Sequence, residues 1–342
     1  MNAAPQRLID NFLHFALSAR PTSPLSAALA EGVVGDAELL SLAAEIPADK
    51  LPPNMLLAAV HALLPTDDPL ACFYASRTAE PLPPEGAFPD FRRFALSHRE
   101  AILDLCRTRR TSTNEVQRAA VLMPAFGLVA RAGEPLHMIE VGAAAGLLLN
   151  WDRIAYDYDT AGRLAPPDAA FTLRCEARGP LPLPAAMPRV ARRVGLDLVS
   201  LDPAKAEDAA WLRALIWPEL KARRERLDQA IALARRHPVR HVIGDAIETL
   251  PREIAAVPSG DPLVVFHSFA LAQFPAALKQ AFLALLDELG RQRPLWRVGY
   301  EHGPKELAYL SLQRHGRGEA EQVLAEATPH GQRLRWLEAA PR

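Results

Sequence analysis

The N-terminal third of the chain places apolar side chains at the spacing of an α-helix. Between Ile9 and Leu17 they recur every three or four residues, and the same pattern returns in short segments separated by prolines. These segments span 26–30, 36–45, 54–64 and 91–107. Because no alternation with period two occurs before residue 130, we predict an all-helical N-terminal domain over 1–130.

After residue 130 the pattern changes to short apolar runs separated by helical segments. The runs predicted as strands are 137–141, 170–176, 239–246, 261–269 and 295–301. This alternation is typical of an α/β domain with a parallel sheet, here over 131–342. Segments 307–312 and 333–337 are predicted to pair as an antiparallel edge hairpin, and the proline-rich, charged block at about 178–238 is predicted to be an insertion.

The stretch from His137 to Asn150 has the pattern of a strand, a tight turn and a helix. Gly142 allows backbone angles that a Cβ would resist, and Gly146 allows a close approach of the helix or of a ligand. With Ala143 between them, the turn would present free N–H groups that suit polar or anionic groups. Glu140, at the strand end, can accept hydrogen bonds from a ribose or an amine.

Other candidate residues follow later strands, since ligands of an open α/β sheet bind at the carboxyl ends of its strands. Glu176 is predicted to end the second strand and to bind ribose hydroxyls. Its separation from Glu140 along the sequence is longer than in the ordinary dinucleotide-binding unit. Aspartates closer to the turn therefore remain alternatives, namely Asp152, Asp157 and Asp159. Asp245 and Ala246 follow the third strand, where Asp245 can cap the next helix.

The clearest buried strand ends in His267 and Ser268, and the fifth strand ends in Glu301. His267 is either a general base near a bound ligand or a buried histidine with its hydrogen bonds satisfied. No G-x-S-x-G sequence occurs, which disfavours a hydrolase.

The segment before the first strand carries Asn114, Glu115 and Arg118. These side chains either border a pocket or only begin the next helix, with Thr113 or Asn114 as its N-cap, and face solvent.

Composition excludes several classes of function. The formal net charge of −1 gives no sign of nonspecific nucleic-acid binding. The three cysteines form no C-x-x-C pair, which indicates reduced thiols in a cytoplasmic protein and predicts no metal site. No long uncharged apolar run occurs, so we expect neither a signal peptide nor a membrane span.

The turn E-x-G-x-x-x-G at 140–146 resembles motif I of class I methyltransferases, whose sheet also closes with an antiparallel hairpin. The chain is also similar to the DUF2332 family of uncharacterised bacterial proteins. The stretches that carry this similarity are 113–118, 141–147, 193–197, 211–219, 264–268 and 329–331.

The methyltransferase resemblance implies a Rossmann-like fold that binds S-adenosylmethionine. Gly142, Ala143 and Gly146 would hold its methionine part, with Glu140 near the amine or the ribose. Further from the turn, Glu176 would bind the ribose, and Asp245 and Ala246 the adenine. His267 would line the cofactor pocket, and His267 or Glu301 would take a proton from the acceptor. Asn114, Glu115, Arg118 and Ser268 would form the pocket rim.

The methyl acceptor is unknown, with a small molecule favoured, and the sequence leaves the oligomeric state and the role of Trp217-Pro218-Glu219 open. The alternative function is that of a non-enzymatic ligand- or protein-binding protein on the same fold, with a degenerate cofactor site. A nicotinamide-dependent oxidoreductase is disfavoured, because Ala144 replaces the second glycine of the dinucleotide fingerprint.

Overall fold

The structure is a computed structural model that describes residues 6–112, 114–130, 134–304 and 307–337. The chain divides into two compact units. The helical unit comprises the described parts of Met1–Thr113 together with Lys205–Leu227, and the α/β unit comprises those of Asn114–Ala204 and Asp228–Arg342. The sequence placed this division at residue 130, whereas the helical unit ends earlier and takes 205–227 from the block expected to be one insertion.

Proline and capping side chains begin several of the helices. Pro24 follows the N-cap Ser23, and Asp36 caps the next helix by accepting from Glu38 N and Leu39 N. The described α-helices are α1 (Gln6–Ala19), α2 (Pro24–Val34), α3 (Ala37–Ala44), α4 (Pro52–Leu63), α5 (Phe88–Ser97), α6 (Arg99–Thr108), α7 (Ala119–Val129), α8 (Ala206–Ala214), α9 (Lys221–Arg236), α10 (Ala246–Ala255) and α11 (Ala276–Gly290).

Among the described residues, the strands form one mixed nine-stranded sheet and one three-stranded sheet. The strands are β1 (Leu136–Val141), β2 (Ala155–Asp157), β3 (Arg163–Leu164), β4 (Thr172–Arg174), β5 (Glu176–Arg178), β6 (Val190–Asp197), β7 (Arg240–Ile243), β8 (Leu263–Ser268), β9 (Leu295–His302), β10 (Ala308–Arg314), β11 (Gln322–Ala327) and β12 (Arg333–Trp336). The protein is therefore α/β, with helices and a mixed sheet.

The large sheet has the order β5-β12-β11-β10-β9-β8-β1-β6-β7, and the small one has the order β3-β2-β4. Strands β7, β6, β1, β8 and β9 are parallel to one another. From β9 the chain continues as an antiparallel meander through β10, β11 and β12, and β5 joins β12 in parallel. The order reverses at β1, which lies between β6 and β8.

The parallel strands are covered on both faces, as apolar strands of this kind require. On one face, Val141 and Val265 belong to a buried cluster that also includes Leu250 of α10 and Phe282 of α11. On the other face, Phe126 of α7 packs edge-on against Phe266 of β8 and lies 4.9 Å, between ring centroids, from Trp151. Both faces of β1 are consequently buried along its whole length.

The strand predicted at 170–176 is wrong as a neighbour of β1. That stretch contributes β4 to the small sheet and begins β5 at the far edge of the large sheet. The neighbour of β1 is β6, which lies inside the block predicted to be an insertion.

The closing hairpin is also wrong in one respect. The two predicted strands correspond to β10 and β12, but they do not pair, because β11 from the polar segment between them lies between them in the sheet. The antiparallel direction of this closing region is as predicted.

In the described parts of the chain, no helix combines the length and apolar character that crossing a membrane requires.

Candidate functional site

The candidate site lies at the carboxyl ends of the parallel strands, where the strand order reverses between β1 and β8. In an open α/β sheet, the connections from two such strands leave to opposite sides and open a crevice. Gly142, directly after β1, is exposed, and Ser268 and Phe269 at the end of β8 are partly exposed. This edge of the sheet is therefore accessible to a ligand.

The turn after β1 alternates its backbone conformation. Gly142, Ala144 and Gly146 have φ angles of 76°, 48° and 66°. The first and third are glycines, for which the left-handed region has little cost, whereas Ala144 adopts it with a Cβ. Backbone N–H groups of Gly142 and Ala143 donate to Leu196 O at 2.9 and 3.1 Å, which ties the turn to β6.

Protein atoms explain both glycines of the turn. A Cβ on Gly142 would lie 2.6 Å from Ala270 Cβ, and one on Gly146 would lie 2.7 Å from Val239 Cγ2. Both distances are far inside van der Waals contact. The glycines therefore allow close packing of the turn on its own domain, whatever else binds there.

The helix predicted after the turn is a short 3-10 helix, Leu147–Arg153, with a non-helical residue at Asn150. Its first residues are buried, with Leu147 2% exposed and Trp151 fully buried. The correction matters because a buried 3-10 segment of this length does not offer the open N-terminal anion site of an α-helix.

The side chain of Asn114 connects the two ends of the turn. Its Nδ2 donates to Ala143 O at 2.9 Å, and its Oδ1 accepts from Leu147 N at 3.1 Å. Asn114 thus neither caps the next helix nor faces only solvent, and Thr113, the other expected cap, lies outside the described residues. Glu115, which is buried, begins the 3-10 turn Val116–Arg118 by accepting from Gln117 N.

Three acids lie at the carboxyl ends of three adjacent parallel strands at this edge. Glu140 precedes the last residue of β1, Asp197 ends β6, and Asp245 comes two residues after β7. Asp197 was missed by sequence reasoning, although the stretch 193–197 was among those that carried the family resemblance. Its strand contains Arg192 and Arg193, and these charged residues interrupt the apolar pattern by which a central strand is recognised.

Asp197 connects the turn with its own strand end. Its Oδ2 accepts from Ala144 N at 2.7 Å, and its Oδ1 accepts from Val199 N at 3.1 Å. A carboxylate offers about four lone-pair sites. Asp197 therefore retains acceptor capacity for a ligand hydroxyl, and it is partly exposed.

Glu140 is 2% exposed. Burial, and then the charge of Asp197, raise the pKa of the Glu140 carboxyl well above its usual value, against a smaller opposite effect of Arg118. Its Oε2 is buried and has no hydrogen-bond partner in the described part of the chain. The neutral form of Glu140 is therefore favoured more than that of an ordinary carboxyl, and a polar atom is left unsatisfied beside the turn.

Glu176 is not part of this site. It lies on β5, at the opposite edge of the sheet from β7, and its Oε1 forms an ion pair with Arg178 at 2.8 Å. The position expected for Glu176, the end of the strand beside β1, is occupied by Asp197. The alternatives Asp152 and Asp157 are engaged elsewhere, with Arg193 and Arg163 respectively.

Asp245 caps α10 by accepting from Ile247 N at 2.7 Å through Oδ1, and Ala246 is buried. Capping uses one carboxylate oxygen, so Asp245 can cap the helix and still accept a hydrogen bond from an adenine amine through the other oxygen. Between Asp197 and Asp245 the surface is apolar, because Leu198 is 60% exposed and Ile243 is 68% exposed. Ile243 is the register partner of Asp197.

His267 and Glu301 form an internal pair. The His267 side chain is 1% exposed, its Nδ1 lies 2.7 Å from Glu301 Oε1, and its Nε2 lies 3.3 Å from Arg297 Nη1. Burial lowers the pKa of His267 although Glu301 opposes this. Despite burial, hydrogen bonds from His267 and from Leu271 N and Ala272 N lower the pKa of Glu301.

Glu301 also accepts from Ala270 N at 3.0 Å, so this carboxylate fixes the turn after β8. The arrangement matches the buried, satisfied histidine that the sequence left open as an alternative.

Arg118 and Ser268 meet at the rim of the site. Arg118 Nη1 donates to Ser268 Oγ at 3.4 Å, its Nε donates to Pro329 O at 3.1 Å, and its guanidinium lies 4.0 Å from the centroid of the Phe269 ring. These contacts bring the segment before β1 and the end of β8 to one place. The sequence had predicted that these residues share a pocket rim.

One family model matches the chain, that described as "Uncharacterized protein conserved in bacteria (DUF2332)", and it matches residues 10–336. Neither a curated protein nor a solved structure matches the chain. The family match extends over nearly the whole sequence, through both the helical and the α/β unit. The chain therefore belongs to the DUF2332 family of bacterial proteins.

Proposed function

We propose that the protein is an S-adenosylmethionine-dependent methyltransferase whose cofactor lies across the carboxyl ends of β1, β6 and β7. One observation carries the proposal. The acids Glu140, Asp197 and Asp245 end three adjacent parallel strands beside the point where the strand order reverses. That is the position at which open α/β sheets bind nucleotides.

The strand order supports a Rossmann-like, methyltransferase-like fold. The segment β7-β6-β1-β8-β9 corresponds to the order 3-2-1-4-5 of a doubly wound sheet, and an antiparallel strand, β10, follows it. A dinucleotide-binding sheet would continue with another parallel strand. The antiparallel continuation was the feature that favoured a methyltransferase in the sequence.

The residues of this chain suit the nucleoside half of the cofactor. Asp197 would accept hydrogen bonds from the ribose hydroxyls with its remaining lone pairs. Leu198 and Ile243 would pack against the adenine ring, and burial of their exposed apolar surface would favour binding. Asp245 would accept from the adenine amine through the oxygen that does not cap α10.

Glu140 would meet the methionine half. Its unsatisfied oxygen lies beside the turn, and an ammonium group there would favour the ionised carboxylate. Binding of the cofactor would thus lower the raised pKa of Glu140 and promote release of its proton. Arg118 and Ser268 would border the same end of the site.

Bound S-adenosylmethionine supplies an electrophilic methyl group, and the chain contributes chiefly alignment of an acceptor with it. We assign no general base. His267 is buried with both ring nitrogens paired, and Glu301 holds the turn after β8, so neither is free to take a proton from an acceptor. The acceptor favoured is a small molecule.

Isothermal titration calorimetry of the full chain with S-adenosylmethionine, S-adenosylhomocysteine and NAD tests the proposal. We expect micromolar binding of the first two and none of NAD. Repeating the titration in buffers of different ionisation enthalpy should detect proton release at pH 7. Absence of binding by a folded protein would contradict the proposed function.

Two variants test the site itself. Asp197→Asn removes a charged acceptor from the ribose and should weaken binding at least about tenfold, as loss of a hydrogen bond to a charged group implies. Glu176→Gln is the matched control, since it changes the acid that lies at the other sheet edge, and should leave binding unchanged. The reverse result would restore Glu176 as the ribose ligand.

A second function is favoured by the packing of the turn. Ala270 and Val239 fill the space beside Gly142 and Gly146, and the following 3-10 helix is buried. These features suit a ligand- or protein-binding protein that has kept the fold without the cofactor. Failure of all three compounds to bind would make this the leading function.

A further inference from the structure

The helical unit contains a cavity of about 210 Å³, independent of the sheet edge described above. All of its lining residues belong to this one unit. Its walls are mainly apolar, from Phe15, Leu29, Leu57 and Trp217. Such a concave, mostly apolar space with few polar groups is typical of small-molecule sites.

One tyrosine of the cavity has a hydroxyl that the described residues leave unpaired. Tyr74 lines the cavity and is 2% exposed, and its Oη forms no hydrogen bond with the residues that the structure describes. This oxygen is not among the fully enclosed atoms without a partner, so it is accessible. A ligand acceptor at this point would accept a hydrogen bond from the free hydroxyl.

The neighbouring histidine does not compete for the same role. His61 Nδ1 lies 3.1 Å from Ala214 O, and its Nε2 lies 2.8 Å from Ser76 Oγ. Both nitrogens are therefore paired within the protein. Burial and nearby arginines lower the pKa of His61 to about 3, so its ring is neutral. Tyr74 alone of this pair offers a free donor.

The surrounding charges indicate which acceptor suits Tyr74. Burial, followed by the charge of Glu219, raises the pKa of the Tyr74 hydroxyl, and the opposite effect of Arg77 is smaller. The hydroxyl consequently keeps its proton and donates. None of the residues that line the cavity is an aspartate, glutamate, lysine or arginine, and burying an unpaired charge is costly, so an uncharged acceptor is favoured.

The Trp217-Pro218-Glu219 sequence builds one wall of this cavity. The Trp217 ring meets Phe15 edge-on, with 5.8 Å between ring centroids, and Pro218 also lines the space. Glu219 accepts from Ser23 Oγ at 2.5 Å and from Leu25 N at 3.0 Å, which fixes the start of α2 against this wall. The motif thus has a structural role in the helical unit.

The cavity is accessible from solvent beside α4. Leu51, the residue before this helix, lines the cavity and is 59% exposed, and Asn54 and Thr111 at the same cavity are partly exposed. The volume exceeds that of an engineered cavity of roughly 150 Å³ that binds benzene, so a compound of about ten non-hydrogen atoms fits.

We propose that this cavity binds a small uncharged aromatic or branched aliphatic compound whose carbonyl, or a similar acceptor, takes a hydrogen bond from Tyr74 Oη. The apolar walls select the body of the compound, and the Tyr74 hydroxyl orients it. The proposal is independent of the cofactor site, which lies in the other unit.

Ligand-observed NMR titrations of the full chain with three probes of similar size test it. Acetophenone carries a neutral acceptor, ethylbenzene lacks the acceptor, and benzoate is charged. We expect acetophenone to bind most tightly, ethylbenzene about tenfold more weakly, and benzoate not at all. Equal or tighter binding of benzoate would overturn the assigned ligand class, and failure of acetophenone to bind would overturn the site.

Variants locate the binding. Tyr74→Phe should weaken acetophenone about tenfold and leave ethylbenzene unchanged. Ala58→Met, which fills the cavity from α4, should abolish binding of both. Tyr309→Phe on β10 is the control and should bind all probes like the wild type. Acetophenone binding that persists unchanged in both folded cavity variants would contradict the proposal.

Discussion

Replacement of Glu140 by glutamine offers the sharpest test of how this sheet edge is built. Glu140 is buried in the central strand β1, and its pKa is raised, first by burial and second by the charge of Asp197. Glutamine has nearly the same shape as the neutral acid and cannot ionise. The variant therefore isolates the contribution that ionisation of Glu140 makes to stability.

The direction and size of the effect follow from proton linkage. Above pH 4.5, the ordinary value, the unfolded chain loses this proton while the folded chain retains it. The free energy of unfolding therefore falls as pH rises, by up to about 1.4 kcal/mol per pH unit until the folded pKa is reached. Between the ordinary value and the raised pKa of the folded protein, the wild type should therefore lose stability relative to Glu140→Gln, and the loss should grow as pH rises.

Urea unfolding followed by far-UV circular dichroism at several pH values measures this difference. The comparison with the variant is needed because buried histidines act in the opposite direction. The pKa values of His267 and His315 are lowered, chiefly by burial, so these residues contribute stability that increases as pH rises towards their ordinary value. Their contributions are common to both proteins and cancel.

Glu176→Gln is the matched control, because this exposed glutamate on β5 forms an ion pair with Arg178 of the same strand. Its stability should follow that of the wild type at each pH. If Glu140→Gln also followed the wild type in parallel from pH 5.5 to 7.5, Glu140 would be ionised in the folded protein. The account of the neutral acid beside Asp197 would then be wrong.

Three further pairs of substitutions probe the turn and two tyrosines. Asn114→Ala removes both hydrogen bonds that close the turn and should cost about 1–3 kcal/mol in urea unfolding, with Asn114→Asp recovering only the bond from Leu147 N. Gly142→Ala places a Cβ against Ala270 at a positive φ and should cost about 2–4 kcal/mol. Adding Ala270→Gly should recover the steric part but not the backbone part. Tyr158→Phe should cost about 1–3 kcal/mol, because it leaves the Ala120 carbonyl without its donor, whereas Tyr74→Phe should cost nothing or stabilise.

Each of these has an outcome that would contradict it. Wild-type stability of Asn114→Ala would mean that the turn does not depend on this clamp. Additive effects of the Gly142 and Ala270 substitutions would remove the steric explanation. A loss in Tyr74→Phe as large as in Tyr158→Phe would show that the Tyr74 hydroxyl has a partner.

The strands that were predicted correctly are those whose sequence carries the signal locally. β1, β8 and β9 are short apolar runs buried on both faces, and hydrophobicity alone marks them. β6 was missed although it lies directly beside β1. Its Arg192 pairs with Glu253, which is 2% exposed, and Arg193 pairs with Asp152. Those acids are distant in sequence, so no local pattern shows that the arginines can be buried.

The prediction of Glu176 in place of Asp197 was wrong for the same reason, namely that the partner of β1 cannot be read from a local pattern. If strands are counted along the chain, the acid expected at the ribose falls at the end of the second apolar run. In the sheet, that acid belongs to the strand that pairs with β1, and strand pairing is a tertiary property. Once β6 occupies that position, Asp197 reaches Ala144 N, and the 170–176 stretch is left to two strands elsewhere.

The helical N-terminal region, the α/β class, the strand and turn around Glu140 and Gly142, and the family can all be inferred from local patterns. These features depend on periodicity, on glycine conformation and on short motifs, which are properties of neighbouring residues. Folding of the whole chain is needed to show that β6 is the partner of β1, that β11 separates the closing strands, that His267 is internally paired, and that Tyr74 lines a cavity. Each of these depends on groups far apart in the chain, which meet only when burial and pairing are satisfied together.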